Sequence, residues 1–268
     1  MNSYKRVGKT KTDASGTPDT AEFMNIGKDD ILETPTRKRV DPPSLILERQ
    51  NHDLLKEFIT TSHELGLEIM DALASELNLG KDEFRTRNDI KTPCDSHCRM
   101  IRGPPRKTAV EPEIQTPGHT DFGTITVLFN WLGGLQVWSE PSRDNFMKQF
   151  EGDETVKEDQ GQWLWVKPTP GCAIINLGDA AVKFTGGILC SARHRVVPAP
   201  GDQGSWPRYS IVYFVRPNDD VVLKRLAGGM VRPLEPDETE ELLTSAQHQE
   251  RKYRVMGTDV RQNNVSHK

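Results

Sequence analysis

From residue 97 onward the chain consists of short β-rich runs that stop at Gly, Pro or Asp turns, and this narrows the choice of fold more than any other feature. The runs "TITVLF" (124–129), "LQVW" (135–138), "WLWV" (163–166), "CAIIN" (172–176), "HRVV" (194–197) and "YSIVYFV" (209–215) are rich in Val, Ile and aromatic residues. Such side chains suit a pleated, half-buried surface. Several short strands at this spacing point to an antiparallel sandwich or barrel rather than a parallel α/β sheet.

Ahead of these runs, Leu54, Phe58, Leu65, Ile69, Leu73 and Leu77 fall mostly four apart. That spacing predicts a long helix over about 45–79 with one apolar stripe, stopped at Gly80. His63 within it reads as a packing or surface histidine rather than a ligand. Residues 1–43 are polar and rich in Gly, Pro, Thr and Lys, which predicts a loop-rich arm. "RKR" at 37–39 reads as a solvated charge cluster. The charged stretch "SEPSRDNFMKQFEGDETVKEDQGQ" (139–162) interrupts the β-rich region, as a solvated loop, a lid or a partner surface. "EPDETEELLTSAQHQERKYR" (235–254) reads as one polar helix before a loose tail. The resulting division is an arm (1–43), a helical segment packed on the sheet region (44–96), the β-rich domain (97–235) and a C-terminal helix and tail (236–268).

Composition removes several classes of function. Of 268 residues, 35% are hydrophobic and 28% charged, enough apolar material for a core. A net charge of -4 offers no basic field for nucleic acid, so none is expected as a partner. No run approaches the roughly 18 apolar residues of a membrane helix, and the N-terminus lacks a signal-peptide core, so a cytoplasmic location is expected. Four cysteines suit a reducing compartment. Cys94, His97 and Cys98 cluster in "CDSHCRM", but zinc would need a fourth ligand, and partly buried thiols are the better reading. Cys172 and Cys190 sit singly in apolar stretches.

The chemistry concentrates in "GHTDFGTITVLF" (118–129). In an extended strand alternate side chains share a face, so His119 and Asp121 point the same way. Alone, an H-x-D pair is as readily the polar edge of a strand. "SARHRVVPAP" adds His194 at the head of another β-run, completing two imidazoles and one carboxylate, the facial set that binds Fe(II). Three protein ligands leave open positions for a chelating cosubstrate and O2. In "RYSIVYFV", Arg208 and Ser210 are again two apart. A buried arginine is costly unless something anionic meets it, and a guanidinium forks onto a carboxylate. The far carboxylate of 2-oxoglutarate would satisfy it; an internal salt bridge would as well. Val212 and Phe214 share the Arg208 face by strand parity and would make the pocket apolar.

The ordered set H-x-D, H and R-x-S, with "WLWVKPTPGCAIINLGDAAVKFTGGILCSARHRVV" and "HCRMIRGPP", resembles the iron(II)- and 2-oxoglutarate-dependent oxygenases of the isopenicillin N synthase-like family. "VKFTGG" followed by "RYSIVYFVRP" is most similar to fungal members, many of them in secondary metabolism. The resemblance covers roughly residues 4–235. It implies a mostly β fold with flanking helices around a double-stranded β-helix (jelly-roll) core. It further implies iron on His119, Asp121 and His194, 2-oxoglutarate on Arg208 and Ser210, O2 as oxidant, and ascorbate as a candidate reductant. No catalytic side chain beyond the metal ligands is implied.

The implied reaction oxidises a C–H bond of a small molecule, by hydroxylation, desaturation or rearrangement. Two alternatives stand beside it: an iron oxidase of the same family that does not use 2-oxoglutarate, and a non-catalytic binding protein. Asn176, Gly178 and Asp179 match a family turn that reads as structural. Gly103 stands where the family usually has an aromatic residue, which implies a larger substrate pocket. Family members carry a further N-terminal segment before the stretch that "YKRVGKT" resembles, which leaves three readings open: a naturally short form, a truncated sequence, or an open flank covered by another subunit, the last with a homodimer as its candidate assembly.

Overall fold

The computed structural model describes residues 3–11, 16–34, 49–106, 114–139 and 161–255. The "RKR" cluster and nearly all of the 139–162 insertion lie outside them. Among the described residues, ten strands form two antiparallel sheets. The larger is ordered β1–β2–β3–β10–β5–β8: β1 (Ser3–Lys5), β2 (Glu22–Gly27), β3 (His97–Gly103), β10 (Arg208–Val215), β5 (Ile125–Asn130) and β8 (Ile174–Leu177). The smaller is ordered β4–β9–β6–β7: β4 (Thr116–His119), β9 (His194–Val196), β6 (Leu135–Ser139) and β7 (Gln162–Trp165). The α-helices among these residues are α1 (Lys28–Ile31), α2 (Arg49–Glu76), α3 (Asp179–Phe184) and α4 (Ser245–Val255).

All six expected runs are strands within a residue or two, and every pairing between these strands is antiparallel. The polar arm differs from expectation. Its residues 22–27 form β2, which pairs along nearly the whole of β3, and Ser3–Lys5 adds an outer strand. The C-terminal helix begins at Ser245, ten residues later than the polar pattern suggests. Cys94 and Cys98 are buried thiols, while Cys172 and Cys190 are exposed despite their apolar stretches.

Strand parity divides β10 between two cores. Ile211, Tyr213 and Val215 face outward and join the larger core with Ile125 and Val127 of β5 and Ile59, Leu67, Met70 and Ala74 of α2. Val212 and Phe214 face inward and pack with Leu128 and Leu135 between the sheets. Each fully buried aliphatic or aromatic side chain contributes about 1.5–3 kcal/mol, so most of the stabilising burial lies outside the barrel, under α2. The interior is left free to carry polar groups.

The buried line of α2 runs through Ile59, His63, Leu67, Met70 and Ala74, and Leu54 is 64% exposed. A spacing of four advances about 400°, so a stripe drawn through every fourth residue drifts about 40° per step off the face. Gly66 lies where the helix meets the sheet: a Cβ there would stand 3.0 Å from Ile125 Cγ2 and 3.1 Å from Val215 Cγ2. His63 is buried as a packing residue, with Nε2 2.8 Å from Asn88 O and Nδ1 3.0 Å from Tyr213 Oη.

Candidate metal and cosubstrate site

β4 ends at His119, whose Cα partner across the sheet is His194 at the start of β9. Directly opposed residues show their side chains on one face, and the two imidazole centroids are 4.4 Å apart. Asp121 lies two residues past the end of β4 rather than within a strand, yet its carboxylate turns to the same point. Oδ1 is 3.7 Å from His119 Nε2 and 3.8 Å from His194 Nε2. One donor atom from each residue lies within 4.8 Å of the other two, and among the described residues no other group of His, Cys, Asp or Glu gathers in this way. Cys94, His97 and Cys98 do not.

The proton positions prepare these donors. His119 Nδ1 is 2.8 Å from Pro117 O, and His194 Nδ1 is 3.0 Å from Ala192 O. A backbone carbonyl only accepts, so each Nδ1 carries the hydrogen and each Nε2 presents its lone pair toward Asp121. On Asp121, Oδ2 accepts from Thr126 Oγ1 at 2.7 Å and from Asn176 Nδ2 at 2.8 Å. Oδ1 is left to face the imidazoles. Burial works against the Asp121 carboxylate, but the two histidines and the bonds from Asn176 and Thr126 outweigh it and hold the group down to about 2. Burial and the neighbouring His194 push His119 down to about 4, toward the neutral form that a metal needs. Metal bonds to nitrogen or oxygen are about 2.0–2.2 Å, so a single ion between these atoms can reach all three. Two imidazoles with one carboxylate are the facial Fe(II) set.

Thr126 and Asn176 are themselves Cα partners across β5 and β8. The family pattern marks Asn176 only as a turn residue, and no motif draws notice to Thr126. A signal is nonetheless present: opposed residues share a face, and both are short hydrogen-bonding side chains. The rest of that turn also holds the ligand loop, since Asp179 N donates to Asp121 O at 2.8 Å and Lys252 of α4 pairs with the Asp179 carboxylate at 3.2 Å. The ring of Phe122, next to Asp121, meets Tyr253 edge-on at 5.9 Å. Tyr253 Oη donates in turn to Asp95 Oδ2 at 2.8 Å. The C-terminal helix thus clamps the loop that carries the carboxylate.

Arg208 and Ser210 point inward from β10 and are 3% and 2% exposed. Arg208 Nε donates to Gly133 O at 2.9 Å and Nη1 to Ser210 Oγ at 3.3 Å. Nη2 is buried with no hydrogen-bond partner among the described residues. Burial alone pushes the guanidinium down to about 10, so it stays charged at neutral pH. No carboxylate among the described residues pairs with it, which removes the internal salt bridge as its explanation there. A buried cation with an unsatisfied N–H beside a hydroxyl fits a carboxylate guest.

A second inward cation lies within "HCRMIRGPP", a stretch the family resemblance covers without giving this residue a role. Arg99 of β3 is the register partner of Val212 and lies over the rings of Phe23 and Phe214, at 4.1 and 5.0 Å. Its Nε donates to Asn25 Oδ1 at 2.7 Å. Asn25 and Phe23 belong to β2, the strand hidden in the polar arm.

Two antiparallel sheets carrying a His-Asp-His cluster and a buried arginine define a jelly-roll protein whose interior side chains are of the types that bind a metal and an anion. Comparison with known proteins agrees. The family model described as "2OG-Fe(II) oxygenase superfamily" matches residues 94–217. A 2-oxoglutarate-dependent dioxygenase of Amanita muscaria is 30% identical over 191 residues, covering 71% of this chain and 82% of that protein. One from Aspergillus fumigatus is 30% identical over 196 residues, 72% of this chain but 50% of that protein, so the chain spans half of that relative's length. A full-length Neurospora crassa protein, solved in complex with alpha-KG and thymine, superposes with a TM-score of 0.73 at 24% identity, covering 95% of this chain and 74% of that one. The chain belongs to the 2OG-Fe(II) oxygenase superfamily.

Proposed function

We propose that this chain is an Fe(II)- and 2-oxoglutarate-dependent dioxygenase that oxidises a C–H bond of a small molecule, and that residues 97–235 form its oxygenase unit. The observation that carries the reading is the convergence of His119 Nε2, His194 Nε2 and Asp121 Oδ1, each oriented by a hydrogen bond at its other heteroatom. In this reading these three atoms ligate iron, and Arg208 with Ser210 binds the distal carboxylate of 2-oxoglutarate. When bound, iron and 2-oxoglutarate together with O2 supply the oxidising power.

The chain's own residues position and exclude. Asn176 and Thr126 fix the carboxylate, Pro117 O and Ala192 O fix the imidazole tautomers, and Leu128, Leu135, Val212 and Phe214 keep water from the space between the sheets. Arg99, held between two rings, is placed to orient a polar group of the substrate. A secondary metabolite is the proposed substrate class, in keeping with the fungal relatives. The proposed setting is cytoplasmic, with no nucleic-acid partner. No helix among the described residues is long and apolar enough to cross a membrane.

The test is anaerobic addition of Fe(II) and then 2-oxoglutarate to the purified chain. The reading expects a visible metal-to-ligand charge-transfer band that requires both components, and succinate on admission of O2. Iron binding with no band and no succinate would favour an oxidase that does not use 2-oxoglutarate.

A further inference from the structure

Gly103, at the end of β3, is the register partner of Arg208. Opposed residues share a face, so the space above Gly103 belongs to the barrel face from which Arg208 projects. The family resemblance implies that a glycine here enlarges the pocket, but the space is filled. A Cβ on Gly103 would lie 2.2 Å from Oε1 and 2.6 Å from Cδ of Gln115. The carboxamide therefore lies directly over the glycine, and any side chain at 103 would displace it.

Gln115 is 1% exposed and reaches this place from the opposite sheet. Its backbone N donates to Val196 O at 2.8 Å, at the end of the strand that begins with His194, and its Nε2 donates to Pro104 O at 2.9 Å. That bond uses one of the two hydrogens on Nε2. On the neighbouring segment Val197 N donates to Gly134 O at 2.9 Å. A Cβ on Gly134 would be 3.4 Å from Arg208 Cδ, and Gly133 O accepts from Arg208 Nε. Gln115, Gly103, the 133–134 turn and the stem of Arg208 thus meet at one end of the barrel.

We propose that Gln115 is a specificity-determining residue that sets the depth of the cosubstrate pocket. Laid over Gly103, its carboxamide closes the barrel end beside Arg208, limits the site to a dicarboxylate of the length of 2-oxoglutarate, and adds an amide to the polar groups near the distal carboxylate. The proposal rests on the reading of Arg208 and Ser210 as the cosubstrate anchor. A closed end discriminates by length: one methylene in a closed pocket changes affinity by about 10–200-fold. Removing the carboxamide opens the space, because Gly103 has no side chain to refill it.

The experiment measures dissociation constants of 2-oxoglutarate and of 2-oxoadipate, one methylene longer, by anaerobic calorimetry on the Fe(II)-loaded full chain and on its Gln115→Ala and Gln115→Asn variants. The wild type is expected to prefer 2-oxoglutarate by at least about tenfold, and each variant to shift the ratio toward 2-oxoadipate by about tenfold or more. Gln115→Asn keeps the amide and shortens the chain by one methylene, so it carries the test if Gln115→Ala does not fold. An unchanged ratio in a folded variant overturns the proposal and leaves the cosubstrate reading standing. A wild type that binds neither acid overturns both.

Discussion

Asn176 donates its side-chain amide to Oδ2 of Asp121 at 2.8 Å, and by occupying that oxygen it turns Oδ1 toward the two imidazoles. In the proposed iron site the carboxylate would be a one-sided ligand, because its other oxygen is already bound. Replacing Asn176 with Leu removes the donor and leaves Thr126 to hold Oδ2 alone. Changes to such outer partners typically cost about 10–100-fold in metal affinity. We expect a loss in that range for Asn176→Leu, measured by anaerobic Fe(II) titration, with the circular dichroism spectrum of the wild type.

Arg208→Ala should separate cosubstrate binding from metal binding. Its guanidinium is buried with Nη2 unsatisfied, and truncating one partner of a buried, hydrogen-bonded charge pair costs about 2–5 kcal/mol. At about 1.4 kcal/mol per factor of ten, 2-oxoglutarate affinity should fall by about thirtyfold or more while Fe(II) affinity holds. Arg208→Lys keeps the charge without the fork and should recover only part of the loss. Full recovery by lysine would show that charge alone is recognised.

His63 makes stability depend on pH. Asn88 O only accepts, so His63 Nε2 carries the proton, and Nδ1 of the neutral ring accepts from Tyr213 Oη. Burial, with Lys28 adding to it, holds His63 down to about 4 from an ordinary 6.5. Between those values the unfolded chain binds the proton and the folded one does not. The stabilisation is therefore complete above 6.5 and is lost as pH falls toward 4. Urea midpoints should decline across that interval, and His63→Gln should decline less steeply while being less stable at about pH 7. Parallel curves for the two proteins would contradict this.

Gly66 tests the packing of α2 on the sheet. Ile125 and Val215, which a side chain there would strike, are partners across β5 and β10 and face away from the barrel interior. Overpacking a core costs about 1–3 kcal/mol, so Gly66→Leu should lower the urea midpoint and leave iron affinity within about twofold. A weakened iron site in a folded Gly66→Leu protein would show that the two faces of the sheet are coupled.

These residues also show what is legible in the sequence and what is not. Arg208 and Ser210 are legible because strand parity puts both on one face of β10, whereas His119, Asp121 and His194 are legible as a two-histidine, one-carboxylate set, although Asp121 reaches the site from beyond the end of β4. The six β-rich runs are legible because their β-branched and aromatic residues end at turn residues. β2 is not: "EFMNIG" is short, lies in a polar arm, and is a strand by virtue of its pairing with β3. Asn176 and Thr126 escape because their role depends on the register between β5 and β8, which no single segment encodes. Gln115 escapes for the same reason at longer range, since it matters only through a glycine on the opposite sheet. Leu54 misleads because fourfold spacing matches the helical period only over a short span.

The central claim is that His119, Asp121 and His194 form one iron site, and the most direct test is anaerobic Fe(II) titration of the wild type beside Asp121→Ala. One equivalent should bind tightly to the wild type, with a loss of affinity of at least about a hundredfold in the variant, which loses a ligand as well as the bonds that orient it. Equal affinity and stoichiometry in the two proteins would place the metal elsewhere and contradict the claim.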